Sequence, residues 1–93
     1  MRAKAELADV RRIYRRLCVA LQTESLHGLI EAYREAYDFG IHYSAAILYL
    51  RDINKDFAAR VIGYLSRNIE HAADRSLLVW LEYYGGHHGA VGE

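Results

Sequence analysis

The chain has 93 residues, 53% of them hydrophobic, with eight tyrosines, one cysteine and no proline. Twelve basic side chains balance twelve acidic ones, so no overall field draws the chain towards nucleic acid or an anionic surface. Cys18 alone excludes an internal disulfide, and no apolar run, Leu77–Leu81 included, approaches the ~20 residues that span a bilayer.

The length makes one domain, and the absence of a secretory apolar segment at the start points to an intracellular, cytoplasmic chain. Apolar residues recur at helical spacing throughout, with no alternating strand pattern. Leu7, Val10, Tyr14, Leu17 and Leu21 follow a 3,4,3,4 spacing, widened by Ile13 and Cys18, and predict a first helix ending near Thr23. Ser25 is the expected N-cap of a second helix with the stripe Leu26, Ile30, Tyr33 and Tyr37, stopped at Gly40. A third helix is expected from Ser44 to Ile53. Asn54 or Asp56 would cap a fourth, with Phe57, Val61, Tyr64, Leu65 and Ile69 inward. The third and fourth could also be one bent helix, since no proline separates them. Asp74 is the expected cap of a fifth helix, Arg75–Tyr84, before the Gly85-Gly86 break. Residues 1–84 would then be a single helical domain and 85–93 a flexible glycine- and histidine-rich tail.

Within the neutral total the charges are unevenly placed. Residues 1–22 hold six basic and two acidic groups, a balance of +4, whereas residues 23–42 hold one basic and four acidic, a balance of −3. Arg11, Arg12, Arg15 and Arg16 would lie opposite the apolar seam of the first helix as two i, i+4 pairs. Arginine's rigid fork suits phosphate and carboxylate, so this face is a candidate contact for nucleic acid, anionic lipid or an acidic protein; the alternative is ordinary solvated surface, neutralised by the acidic second helix. On the second helix His27, Glu31, Glu35, Asp38 and His42 fall on one stripe. Carboxylates and imidazoles at that spacing can share a metal ion, with Glu70 and His71 as possible further donors. The alternative is a solvated face with Arg34 pairing to Glu31 or Asp38.

Three short stretches resemble known families. Tyr37–Tyr49, with Tyr37, Tyr43, Ala46, Ile47 and Tyr49, resembles the inter-helix part of a tetratricopeptide unit, with the glycine one position early and Ala58 where that pattern has proline. Ala45–Ser66 resembles the helical hairpins of the flagellar rotor switch protein family, after a one-residue insertion. Ile13-Tyr14-Arg15 resembles the Leu-Tyr-Arg signature of small mitochondrial assembly factors, with isoleucine for leucine. The first two together imply an αα-hairpin and no particular chemistry.

Leu77-Leu78-Val79-Trp80-Leu81, followed by Tyr83 and Tyr84, is apolar on every helical face. A domain near this size buries only ~60–65% of its unfolded surface, so such a segment is expected to leave apolar groups for a partner. Leu77, Trp80, Leu81, Tyr83 and Tyr84 are the expected interface. No phosphate loop, Cys-x-x-Cys, His-Glu-x-x-His or nucleophile elbow is present, so neither catalysis nor a cofactor is expected. The fold expected is all-α, four or five short helices in antiparallel hairpins, as a small bundle or a TPR/HEAT-like superhelical module. The function expected is a non-catalytic interaction module, an adaptor, assembly factor or chaperone-like subunit that self-associates. Metal binding on the second helix and nucleic-acid binding on the first are the alternatives.

Overall fold

The computed structural model describes residues 6–86, which are mostly helical, with no strand among them. Helix α1 is Leu7–Thr23, α2 Leu26–Asp38 and α3 His42–Ala45, the last continued by the π-helical turn Ala46–Leu50. Helix α4 is Lys55–Leu65, and α5 is Ala72–Leu81 with a second π-helical turn, Glu82–Gly86. Among the described residues no helix is long and apolar enough to cross a membrane.

The connections are set by caps. At the end of α1 the backbone turns through Glu24 at φ 53°, and the Ser25 N–H donates back to the Ala20 carbonyl at 2.9 Å. This is the reversal usually made by glycine; here a glutamate occupies the left-handed position and also pairs with Arg60 at 2.6 Å. Ser25 then caps α2, its Oγ accepting the Gly28 N–H at 3.1 Å. A Cβ on Gly28 would stand 2.8 Å from that Oγ, so the bare glycine lets the cap close against α1. Gly40, at φ 78°, makes the same reversal after α2, with Ile41 N–H donating to the Ala36 carbonyl at 2.9 Å.

Helix α3 starts at His42 and ends with its π turn at Leu50, earlier at both ends than the spacing predicts. It is separate from α4, because Asn54 sits in extended conformation and its Oδ1 accepts from Asp56 and Phe57 N–H. Helix α4 stops at Leu65 once Ser66 and Asn68 side chains donate to the Ile62 and Tyr64 carbonyls, leaving Ile69 outside it and 41% exposed. Helix α5 is capped by His71, not Asp74. The His71 Nδ1 accepts the Ala73 N–H at 2.9 Å, while Asp74, three residues on, accepts the His71 N–H.

Helix α2 is the centre of the molecule and packs against α1, α3, α4 and α5. In a superhelical array each hairpin would touch only its sequence neighbours, so the α2–α5 contact makes this a bundle. The core joins Ile13 and Leu17 of α1, Leu29, Ile30 and Tyr33 of α2, Leu50 of the π turn, Phe57 and Val61 of α4, and Leu77 and Leu81 of α5. Alanines at 32, 36, 45, 46, 58 and 73 let the backbones approach. The α1 seam is rotated from the predicted one, with Ile13, Leu17 and Ala20 inward and Leu7 65% exposed. Gly85 and Gly86 close the last helical turn rather than breaking it, and the remainder of the expected tail, His87 and His88 included, lies outside the described residues.

Candidate interaction surface

Helix α5 divides the expected interface residues between two sides. Leu77 and Leu81 are 0% exposed, held inward by α2 and α4, and cannot themselves touch a partner. The outward stripe is Ala72, Arg75, Val79, Glu82 and Tyr83, all exposed, with Val79 at 58% and Tyr83 at 55%. Trp80 and Tyr84 are half-buried on the flank of this stripe.

That flank continues onto α3. Tyr43, 61% exposed, meets Trp80 edge-to-face with ring centroids 6.1 Å apart, and Ile47, 51% exposed, follows one turn later. Trp80 stacks on Tyr84 at 5.5 Å and 15°, and Tyr83 stands edge-on to Tyr84 at 4.9 Å. Interlocked rings lose little freedom when a partner covers them, which suits them to recognition. Tyr43, Ile47 and Val79 were not in the expected interface. The alanine pair Ala45-Ala46 was the available signal: small residues mark the closely packed side of a helix and leave Tyr43 and Ile47 opposite.

Two polar links hold the surface in place. Asp74 is 1% exposed and receives both prongs of Arg34, Nε and Nη2 each at 2.8 Å, plus the Glu70 and His71 N–H groups at 2.9 and 3.1 Å. Burial alone would raise the Asp74 carboxyl; Arg34 and the backbone donors outweigh it and hold the group below its ordinary value. Arg34 therefore spans from α2 to α5 rather than pairing with Glu31 or Asp38 on its own helix.

The second link is Tyr33, 0% exposed, whose hydroxyl lies 2.9 Å from Ser76 Oγ. Burial pushes this hydroxyl up to about 12, the Ser76 bond opposing only in part. In the unfolded chain a tyrosine releases its proton near pH ~10, so the folded state holds the proton longer and stability falls as pH rises from ~10 to ~12. Relative to Tyr33→Phe, the wild-type chain should lose about 2–3 kcal/mol over that interval, read from denaturant midpoints at each pH. Tyr33→Phe itself should cost about 1 kcal/mol at neutral pH through the lost hydrogen bond.

The charged candidates are used mostly within the fold. Arg12 and Arg16 both bond Glu35, and Arg16 lies 3.8 Å from Glu31, so half of the arginine face clamps α1 to α2 instead of pointing outward. Arg11 and Arg15 remain exposed on α1, and Arg15 borders an open groove of about 390 Å³ with Arg16, Val19, Thr23, Ser25 and Gly28. The His27 ring meets Tyr64 edge-on at 5.3 Å, and Asp38 lies 3.3 Å from His71 Nε2. Thus Glu31 and Glu35 turn to the arginines of α1, while His27 and Asp38 turn to Tyr64 and His71. Among the described residues no three metal-ligating side chains converge. His42 leaves the stripe altogether: it is 6% exposed, packed among the rings of Tyr33, Tyr37 and Tyr43.

Compared with models of known protein families, with curated proteins and with solved structures, the chain gives no significant match.

Proposed function

We propose that the protein is a non-catalytic interaction module, a small adaptor or assembly factor that self-associates through the aromatic face of α3 and α5. The observation that carries this reading is that Tyr43 and Tyr83, each more than half exposed, both stand edge-on to the Trp80 ring, with exposed Ile47 one turn from Tyr43 and exposed Val79 one turn from Tyr83. Isolated exposed apolar groups are ordinary on a domain surface, but a joined set on two adjacent helices marks a binding face. The rings and aliphatic groups suit another apolar helical surface.

The test is mass in solution by light scattering over a wide concentration range. The wild-type chain should pass from monomer to dimer. The double substitution Val79→Ser with Tyr83→Ser should keep the helical spectrum, shift Tm little and weaken association by about tenfold or more, as loss of central interface side chains does. Association unchanged in that variant would remove this face from the reading.

A further inference from the structure

The outer stripe of α5 carries a charge pattern as well as an apolar one. Arg75 and Glu82 stand on either side of Val79, all three exposed. Neither Arg75 nor Glu82 forms an ion pair among the described residues, whereas Arg12, Arg16, Arg34 and Arg60 are all bound across helices. Seven residues are almost two full turns, so Arg75 and Glu82 lie in line, ~10.5 Å apart along the helix axis. Their midpoint falls between Leu78 and Val79.

From this we infer that the partner of α5 is the α5 of a second copy, packed antiparallel about a two-fold axis beside Val79, with Arg75 of each chain facing the partner's Glu82. The inference rests on the self-association proposed above and adds its orientation and register. Antiparallel pairing brings unlike charges together twice, because a two-fold interface repeats every contact. Parallel pairing would set Arg75 against the partner's Arg75 and Glu82 against the partner's Glu82, and like charges opposed in this way disfavour a complex. The antiparallel arrangement also places Val79 against the partner's Val79 at the centre. Ala72, small and exposed at the start of the stripe, leaves room near each end for the partner's Tyr83.

Charge reversal tests the register, with light scattering and sedimentation as readouts on the full chain. Arg75→Glu alone and Glu82→Arg alone each replace two attractive contacts by two repulsive ones, and each should dimerise on the order of tenfold more weakly than wild type. The double variant Arg75→Glu with Glu82→Arg restores opposite charges across the axis and should regain most of the affinity. An equimolar mixture of the two single variants should form a mixed dimer more tightly than either variant pairs with itself, because both contacts are then complementary. Both residues are exposed, so the helical spectrum and Tm should hold throughout. A wild-type dimer insensitive to all these changes overturns the register and leaves self-association through the aromatic face standing. A wild-type chain monomeric at every concentration overturns both.

Discussion

Asp74→Ala is expected to remove about 3–5 kcal/mol of folding stability, the usual result of breaking a buried charge pair by taking one partner away. A domain of this size holds roughly 5–14 kcal/mol in all, so the variant should melt roughly 15–30 °C lower or fail to fold. The size follows from how many groups the carboxylate satisfies. Its loss strands the Arg34 guanidinium and the Glu70 and His71 N–H groups, and removes half of the α5 cap. Arg34→Ala leaves the buried carboxylate unpaired and should be similarly severe; the double variant should fall well short of the sum, since both singles break one link.

The same carboxylate makes stability depend on acid. Its folded value lies below the ordinary carboxylate value of ~3.9, so the unfolded chain takes up the proton first as pH falls. The stabilisation is complete above about pH 5 and declines through the ordinary carboxylate range down to the folded value. Chemical unfolding of the wild-type chain between about pH 6 and pH 3, set against Asp74→Asn, isolates this part from the other carboxylates. An acid slope as steep in the variant as in the wild type would assign the effect elsewhere, with the Glu35–arginine clamp the first place to look.

Two neighbours on α5 are expected to respond in opposite ways. Leu77→Ala should cost about 2–5 kcal/mol, because a side chain wholly enclosed by α2 and α4 leaves a cavity that a helical bundle cannot easily close. Val79→Ala, two residues on and 58% exposed, should alter monomer stability by no more than about 0.5 kcal/mol. Thermal melts of the two variants at low protein concentration make the comparison. Equal effects would mean that α5 is not divided into an inward and an outward side as described.

What the sequence showed and what it hid have separate physical causes. Ser25, Asn54 and Gly40 are legible because caps and left-handed turns depend on the chemistry of one or two residues. The all-α class follows from spacing alone. The turn after α1 was less legible, since a glutamate, Glu24, holds the conformation that glycine advertises. The candidate surface was half visible. Apolar residues on every side of Leu77–Leu81 gave the helix, but not which side its neighbours would cover, and so Leu77 and Leu81 fell into the core while Val79 did not. The Arg34–Asp74 pair was invisible, because the partners are 40 residues apart and nothing local links them. The acidic stripe on α2 was partly legible: the opposite charges of the first two segments suggest the pairing of Glu35 with Arg12 and Arg16, whereas the approach of His71 to Asp38 depends on a distant part of the chain.

The α2–α5 link also bears on the order of events as the chain folds. Helices α1 and α2 are adjacent in sequence and can pair early, with only a short loop to close. Helix α5 must close a far longer loop before Tyr33 meets Ser76 and Arg34 meets Asp74. The Trp80 ring reaches Tyr43 only across that longer loop. The Trp80, Tyr83 and Tyr84 rings, by contrast, touch one another within a single helical stretch. Whatever recognises the whole face therefore recognises a chain whose distant parts have met, because before that the Tyr43 part and the Trp80 part are separate.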